Sequence, residues 1–187
     1  MIINTTDELW YRAVRDLDEG NFSSLESALG GPEGFDRIIV TWFEDGRFDD
    51  QPEMLAEALT CACMLGRTET ARFLLDNDVD PVAGMKTGLN GFHYAASGGH
   101  LELVNLLIER KVTIETKNMY GGTVLGQALW SAINEHKTDH AEIIALLIDA
   151  GAEIEHGTLE WWEGQDVPSA ETKRRVAAVL SRRRKDE

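Results

Sequence analysis

The reading of this chain turns on Gly91-Phe92-His93-Tyr94-Ala95-Ala96-Ser97-Gly98-Gly99-His100-Leu101-Glu102-Leu103-Val104-Asn105-Leu106-Leu107-Ile108. Phe92, Ala95 and Ala96 predict a short helix, and Gly98-Gly99 a turn. Leu101, Val104, Leu107 and Ile108 fall at the i, i+3, i+6, i+7 spacing of one apolar helix face. The pattern recurs: 33 residues upstream, Leu59 stands under Phe92, Ala62 under Ala95, Gly66 under Gly99 and Leu74-Leu75 under Leu107-Ile108. At 33 residues downstream, Leu125 and Ala128 stand under Phe92 and Ala95. Leu147-Ile148 matches Leu107-Ile108 only at a step of 40, so seven residues are inserted near 134–140. Helix pairs this short cannot bury their own apolar faces. Stacking on the next pair stabilises them, and small residues such as Ala62 and Ala95 let neighbours approach closely.

The composition agrees with a packed chain. Its 187 residues and 20.8 kDa suit one domain or two small ones, and 43% hydrophobic content argues against a wholly disordered chain. With 33 acidic and 18 basic residues the formal charge is −15, which repels phosphate backbones, so no nucleic-acid partner is expected. No apolar run reaches the ~18–20 residues of a membrane span, and no membrane association is expected. The opening Met1-Ile2-Ile3-Asn4 has neither a basic nor a long apolar region, so export is not expected. Two cysteines cannot build a disulfide framework, and a reducing, cytoplasmic location is expected. The charge is uneven. Residues 170–187 hold seven basic and three acidic side chains, a net +4, which leaves −19 on the remainder of a −15 chain. These cations read as favourable partners for a helix C-terminus.

The period of 33 and the quoted stretch resemble an ankyrin repeat. Leu146-Leu147-Ile148-Asp149-Ala150-Gly151-Ala152-Glu153-Ile154 is similar to the family's repeat ending, and Leu74-Leu75-Asp76-Asn77-Asp78-Val79-Asp80-Pro81 less closely so. The family's Thr-Pro-Leu-His stands as Asn90-Gly91-Phe92-His93, Thr123-Val124-Leu125-Gly126 and Glu57-Ala58-Leu59-Thr60. The clear resemblance covers roughly residues 53–157. It implies an all-α fold, an α-solenoid of helix pairs joined by short hairpin loops. The expected organisation is a single domain over 1–187, with an irregular N-terminal cap at 1–52 and repeats at 53–84, 85–117 and 118–157. A C-terminal half-repeat and basic-ended helix follow at 158–187.

Both flanks carry helical patterns. Thr5-Thr6-Asp7-Glu8 has capping-box spacing, and Leu9, Trp10, Ala13, Val14 and Leu17 follow it on one face. Phe22, Leu25 and Leu29 mark a second helix, ended by Gly30-Gly31-Pro32. Phe35, Ile38, Ile39, Trp42 and Phe43 predict an additional amphipathic helix where the family has a hairpin. Pro168-Ser169 precedes a helix with Val176, Val179 and Leu180 on one face.

Candidate chemistry is sparse. Cys61 and Cys63 project about 200° apart on a helix of ~3.6 residues per turn, so they read as buried packing rather than a metal or redox pair. His136 and His140 have the i, i+4 spacing of a helical zinc pair, but no third ligand is evident and they read as a solvated loop. Asp76-Asn77-Asp78-Val79-Asp80 opens like a calcium loop, yet Pro81 and Thr87 stand where glycine and glutamate are needed. His93 could be named a base. The resemblance instead implies that it hydrogen-bonds neighbouring turns. Neither a Gly-x-Ser-x-Gly elbow nor a Gly-Lys phosphate loop is present. No catalytic residue, cofactor or metal ion is therefore expected.

What the resemblance implies is partner binding through hairpin tips and the exposed side of each first helix. Those positions are Lys86, Thr87, Leu89 and Ser97, then Met119, Tyr120, Trp130 and Ser131, then Leu159, Glu160, Trp161 and Trp162. Tryptophans there suit either binding anchors or closure of the stack. The function expected is a non-catalytic, monomeric protein–protein interaction module whose partner offers a basic or mixed surface. The rival expectation is an acidic inhibitor or immunity protein that blocks a basic enzyme such as a nuclease.

Overall fold

The computed structural model describes residues 5–84, 86–135 and 139–183. Among these the chain forms eleven helices and no strand, with an isolated antiparallel bridge between Lys117 and Thr123. The all-α class of packed helix pairs expected from the sequence is the one observed. By its internal contacts the chain divides into two compact units, 1–94 and 95–187.

In the first unit, α1 (Thr5–Asp18) and α2 (Phe22–Ala28) pack together, as do α4 (Pro52–Leu65) and α5 (Thr68–Asp76). The additional amphipathic helix forms as α3 (Pro32–Glu44), and it packs on α2 and α5. Its Phe35, Ile39 and Trp42 are buried. Trp10 meets Trp42 and Phe48 edge-on, with centroids 5.0 and 5.1 Å apart, and the Arg47 guanidinium lies 5.8 Å over its ring. The Thr70 hydroxyl donates to Asp36 Oδ1 at 2.6 Å, and Phe43 meets Phe73 edge-on, so polar and aromatic contacts both tie α5 to α3.

Every residue from Ala56 to Cys63 in α4 is buried, which requires the small side chains that the sequence supplies there. Gly66 ends α4 at φ 69°, where Arg67 N–H reaches back to Ala62 O at 2.8 Å. Thirty-three residues later Gly99 stands at φ 72°, with His100 N–H on Ala95 O at 3.0 Å. The recurring glycine is thus a left-handed helix terminus, a conformation that L side chains rarely adopt.

Three polar contacts fix the loop that follows α5. Glu57, buried on α4, accepts the Lys86 N–H on Oε1 at 2.8 Å, and the Thr60 hydroxyl donates to Gly84 O at 2.9 Å. Lys86 Nζ pairs with Asp18 at 3.0 Å. His93 closes its own turn: its N–H donates to Asn90 Oδ1 at 3.1 Å, and its Nδ1 lies 2.7 Å from the same oxygen.

The unit boundary falls inside α6 (Gly91–Ser97). In the second unit, α9 (His140–Asp149) is the hub. It packs on α7 (Leu101–Glu109), α8 (Val124–Asn134) and α11 (Ala170–Arg183), while α10 (Thr158–Glu163) packs on α11. Leu103, Val104 and Leu107 from α7, Ile143, Ile144 and Leu147 from α9, and Val176 and Leu180 from α11 are all buried.

Two expectations are corrected here. The seven inserted residues do not all form a loop: α8 has eleven residues where α6 has seven, so part of the insertion extends the helix. His140 is likewise not in a solvated loop. It is buried at the start of α9, with Nε2 2.9 Å from Ser97 O and Nδ1 buried without a hydrogen-bond partner among the described residues. His136 lies outside the described residues. Of the basic end, Arg182 and Arg183 stand in the last turn of α11, as the macrodipole reading expects, and Arg184 and Lys185 lie outside the described residues. Lys173, Arg174 and Arg175 occupy the first half of α11, where Lys173 Nζ donates to Gln165 O at 2.5 Å and Arg175 lies 3.9 Å from Glu142.

Burial raises the Glu57 carboxyl above its ordinary range, outweighing the lowering influence of the Lys86 N–H and ammonium. The proton is held more tightly in the folded chain than in the unfolded one. Glu57 therefore stabilises the fold most below its unfolded pKa, and that contribution is lost as pH rises through the higher folded value. Glu57→Gln keeps the acceptor for Lys86 and removes the charge. Its melting temperature should gain on that of the unaltered chain between about pH 4 and about pH 7; a difference constant with pH contradicts this account.

Candidate partner-binding groove

Two hairpin tips and two helices of the second unit surround a groove of about 510 Å³, within the ~300–1,000 Å³ of typical binding clefts. The first tip is built around Asn118, a buried side chain. Its Oδ1 accepts from the N–H groups of Tyr120 and Gly122, both at 2.9 Å, and its own N–H donates to Gly122 O at 2.9 Å. Gly121, at φ 81°, completes the reversal. The turn leaves Met119 and Tyr120 projecting into solvent. Thr123 then caps α8, its hydroxyl accepting the Gly126 N–H at 3.1 Å.

The second tip precedes α10. Glu153 N–H donates to Glu115 Oε1 at 2.9 Å, and the N–H and hydroxyl of Thr158 both donate to Glu155 O, at 3.1 and 2.7 Å. These bonds fix the backbone of the tip while the side chains of Glu153, Glu155 and His156 remain exposed.

The groove is lined by Tyr120 from the first tip, Trp130 from α8 and Trp161 from α10, together with Glu153, Glu155 and His156. Leu125 and Leu129 add apolar surface, and among the described residues no lysine or arginine lines it. Tyr120 is 83% exposed, Trp130 55% and Trp161 44%, so three large rings face solvent around one concavity. Such rings carry binding energy when a partner desolvates them.

The other positions derived from the repeat register lie elsewhere. Lys86, Thr87 and Leu89 belong to the first unit. There Lys86 is engaged by Asp18, Thr87 accepts the Tyr94 hydroxyl at 2.7 Å, and Leu89 is half-buried. Met119 and Glu160 are exposed, and Ser97 and Leu159 half-buried, without lining the groove. Ser131 is buried, on the side of α8 away from solvent, and offers no contact surface. Trp162 is corrected in the same way. It is fully buried, and its Nε1 donates to Lys173 O of α11 at 3.1 Å. It is the fifth residue of α10, as Ala95 and Ala128 are of α6 and α8. At that inward position the indole fills the α10–α11 core.

Glu153, Glu155 and His156 line the groove but are not among the positions derived from the repeat register. The signal was available, because the step of 33 that carries Thr87 to Tyr120 carries Tyr120 to Glu153. The two cysteines contribute no reactive group. Both are buried, and burial raises Cys61 well above its ordinary value and Cys63 to about 12, so both thiols stay protonated at neutral pH. Among the described residues no cluster of three His, Cys, Asp or Glu side chains is placed to hold a metal ion.

A family model described as "Ankyrin repeats (3 copies)" matches residues 35–118 and 59–158, well over half of the chain. The Drosophila melanogaster "Ankyrin repeat and KH domain-containing protein mask" is 39% identical over 98 residues, 52% of this chain and 2% of that protein. The Homo sapiens "Ankyrin repeat and KH domain-containing protein 1" shows the same identity over 98 residues, 52% of this chain and 4% of its own length. The Caenorhabditis elegans protein "mask-1" of the same description is 43% identical over 54 residues, 29% of this chain and 2% of its own. This chain therefore matches only a few per cent of the length of these relatives.

The adjacent tryptophans should separate cleanly. Trp162→Ala should cost about 3–5 kcal/mol of stability through the cavity it leaves, whereas Trp161→Ala should stay within about 1 kcal/mol. Urea unfolding measures both; equal losses contradict the assigned burial.

Proposed function

The chain belongs to the ankyrin repeat family, whose repeats mark protein–protein interaction modules, and from that premise we propose that the groove between the tips at 117–123 and 153–157 holds its partner protein. The observation that carries this reading is the convergence of Tyr120, Trp130 and Trp161, all exposed, on one concave surface. Exposed rings of this size are costly to leave in water, and they give a large return when covered.

The role is non-catalytic. A rigid pair of tips, each held by backbone and side-chain hydrogen bonds, offers a preformed surface that loses little conformational freedom on binding. The partner presents a basic or mixed surface, since the chain carries −15 and the groove bears two carboxylates and, among the described residues, no lysine or arginine. A cytoplasmic location is supported by two buried, unpaired cysteines, which suit a reducing compartment.

Affinity capture from the native host, followed by mass spectrometry, tests the proposal. The combined Tyr120→Ala, Trp130→Ala and Trp161→Ala variant should keep its helical circular dichroism and lose the captured partner. Each ring is expected to contribute about 2 kcal/mol or more as a hot-spot residue. Undiminished capture by the folded variant removes the groove as the binding surface.

A further inference from the structure

Resting on the groove reading above, we infer that the group it receives is an arginine side chain, carried on an exposed segment of the partner protein. Three aromatic side chains, Tyr120, Trp130 and Trp161, share the lining with the carboxylates of Glu153 and Glu155. Among the described residues neither carboxylate is paired with a cation. A cation that enters is drawn to ring faces and carboxylates together, because an aromatic face carries partial negative charge. A purely apolar ligand would desolvate both carboxylates without pairing them, and an anionic one would meet them with no lysine or arginine among the described residues to offset the repulsion.

The choice of arginine over lysine follows from the mixture of rings and carboxylates. A guanidinium is planar, stacks on rings, and is more weakly hydrated than an ammonium. Its fork of donors can address a carboxylate in a bidentate pair while its faces lie against indole or phenol. Lysine presents a strongly hydrated point charge that uses the rings less well. Four glycines also line the groove, and their lack of side chains lets the backbone of the incoming segment approach closely.

The test uses the intact chain as bait for a displayed library of random peptides. Retained peptides are then synthesised with their arginine intact, or replaced by lysine or by citrulline, which keeps the shape and removes the charge. Arginine should be enriched at one position, and citrulline should weaken binding by about tenfold or more, the loss expected when a charge-assisted hydrogen-bonded pair is removed. Glu153→Gln with Glu155→Gln should weaken the arginine peptide by about tenfold and leave the citrulline peptide nearly unchanged. Retention of no peptide, retention of peptides without arginine, or equal affinity for the arginine, lysine and citrulline forms overturns the inference. If peptides without arginine are retained and lost on Trp130→Ala with Trp161→Ala, the groove reading survives and the arginine inference alone falls. If arginine peptides bind that double variant undiminished, both fall.

Discussion

A helix of nine or ten residues, the length of α7 and α9, is too short to persist in water by its own hydrogen bonds; isolated helices below ~12–15 residues are marginal. Everything in this chain follows from that shortage. Each helix needs a neighbour to cover its apolar face, and α9 makes the dependence plain by serving α7, α8 and α11 at once. Ala62, Ala95 and Ala128 are buried because helices that must touch on several sides have no room for more than a methyl group there. The turns recur for the same reason. Gly66 and Gly99 end their helices in the left-handed conformation that sends the next helix back onto the first.

The proposed binding surface sits on what this packing leaves over. Once the helices are committed to one another, the tips between pairs are fixed by their own polar contacts, as around Asn118, and their side chains are free to face solvent. Trp161 and Trp162 show the division within a single turn of helix. Successive residues on a helix point about 100° apart at ~3.6 residues per turn, so one indole enters the core while its neighbour lines the groove. Burial serves the loops as well. Glu57 gives up solvent in order to hold the Lys86 N–H, and its raised affinity for a proton is the consequence.

The legible parts of the sequence were those with a period. The step of 33 follows from repeated backbone requirements, and α3 was readable because Phe35, Ile39 and Trp42 obey helical spacing. Aperiodic features were not readable. Phe48 sits in a turn and reaches Trp10 from outside any helix pattern. The insertion after Trp130 could have been loop or helix, and only the packing of His140 against the Ser97 carbonyl shows where α9 begins. In the groove, Tyr120, Trp130 and Trp161 came from repeat register. Trp162 came with them because register locates a helix before it resolves the phase of two adjacent residues. Glu153 and Glu155 are legible only through the step of 33 from Tyr120, because by composition alone 33 carboxylates conceal any two.

Mutual support between short helices is most directly measured by hydrogen exchange on Leu147→Ala. Leu147 is buried in α9, and its truncation should cost about 2–5 kcal/mol. If the helices stand only by covering one another, amide protection should fall in α8 and α11 together with α9. Loss confined to α9, with its neighbours protected as before, would contradict the account.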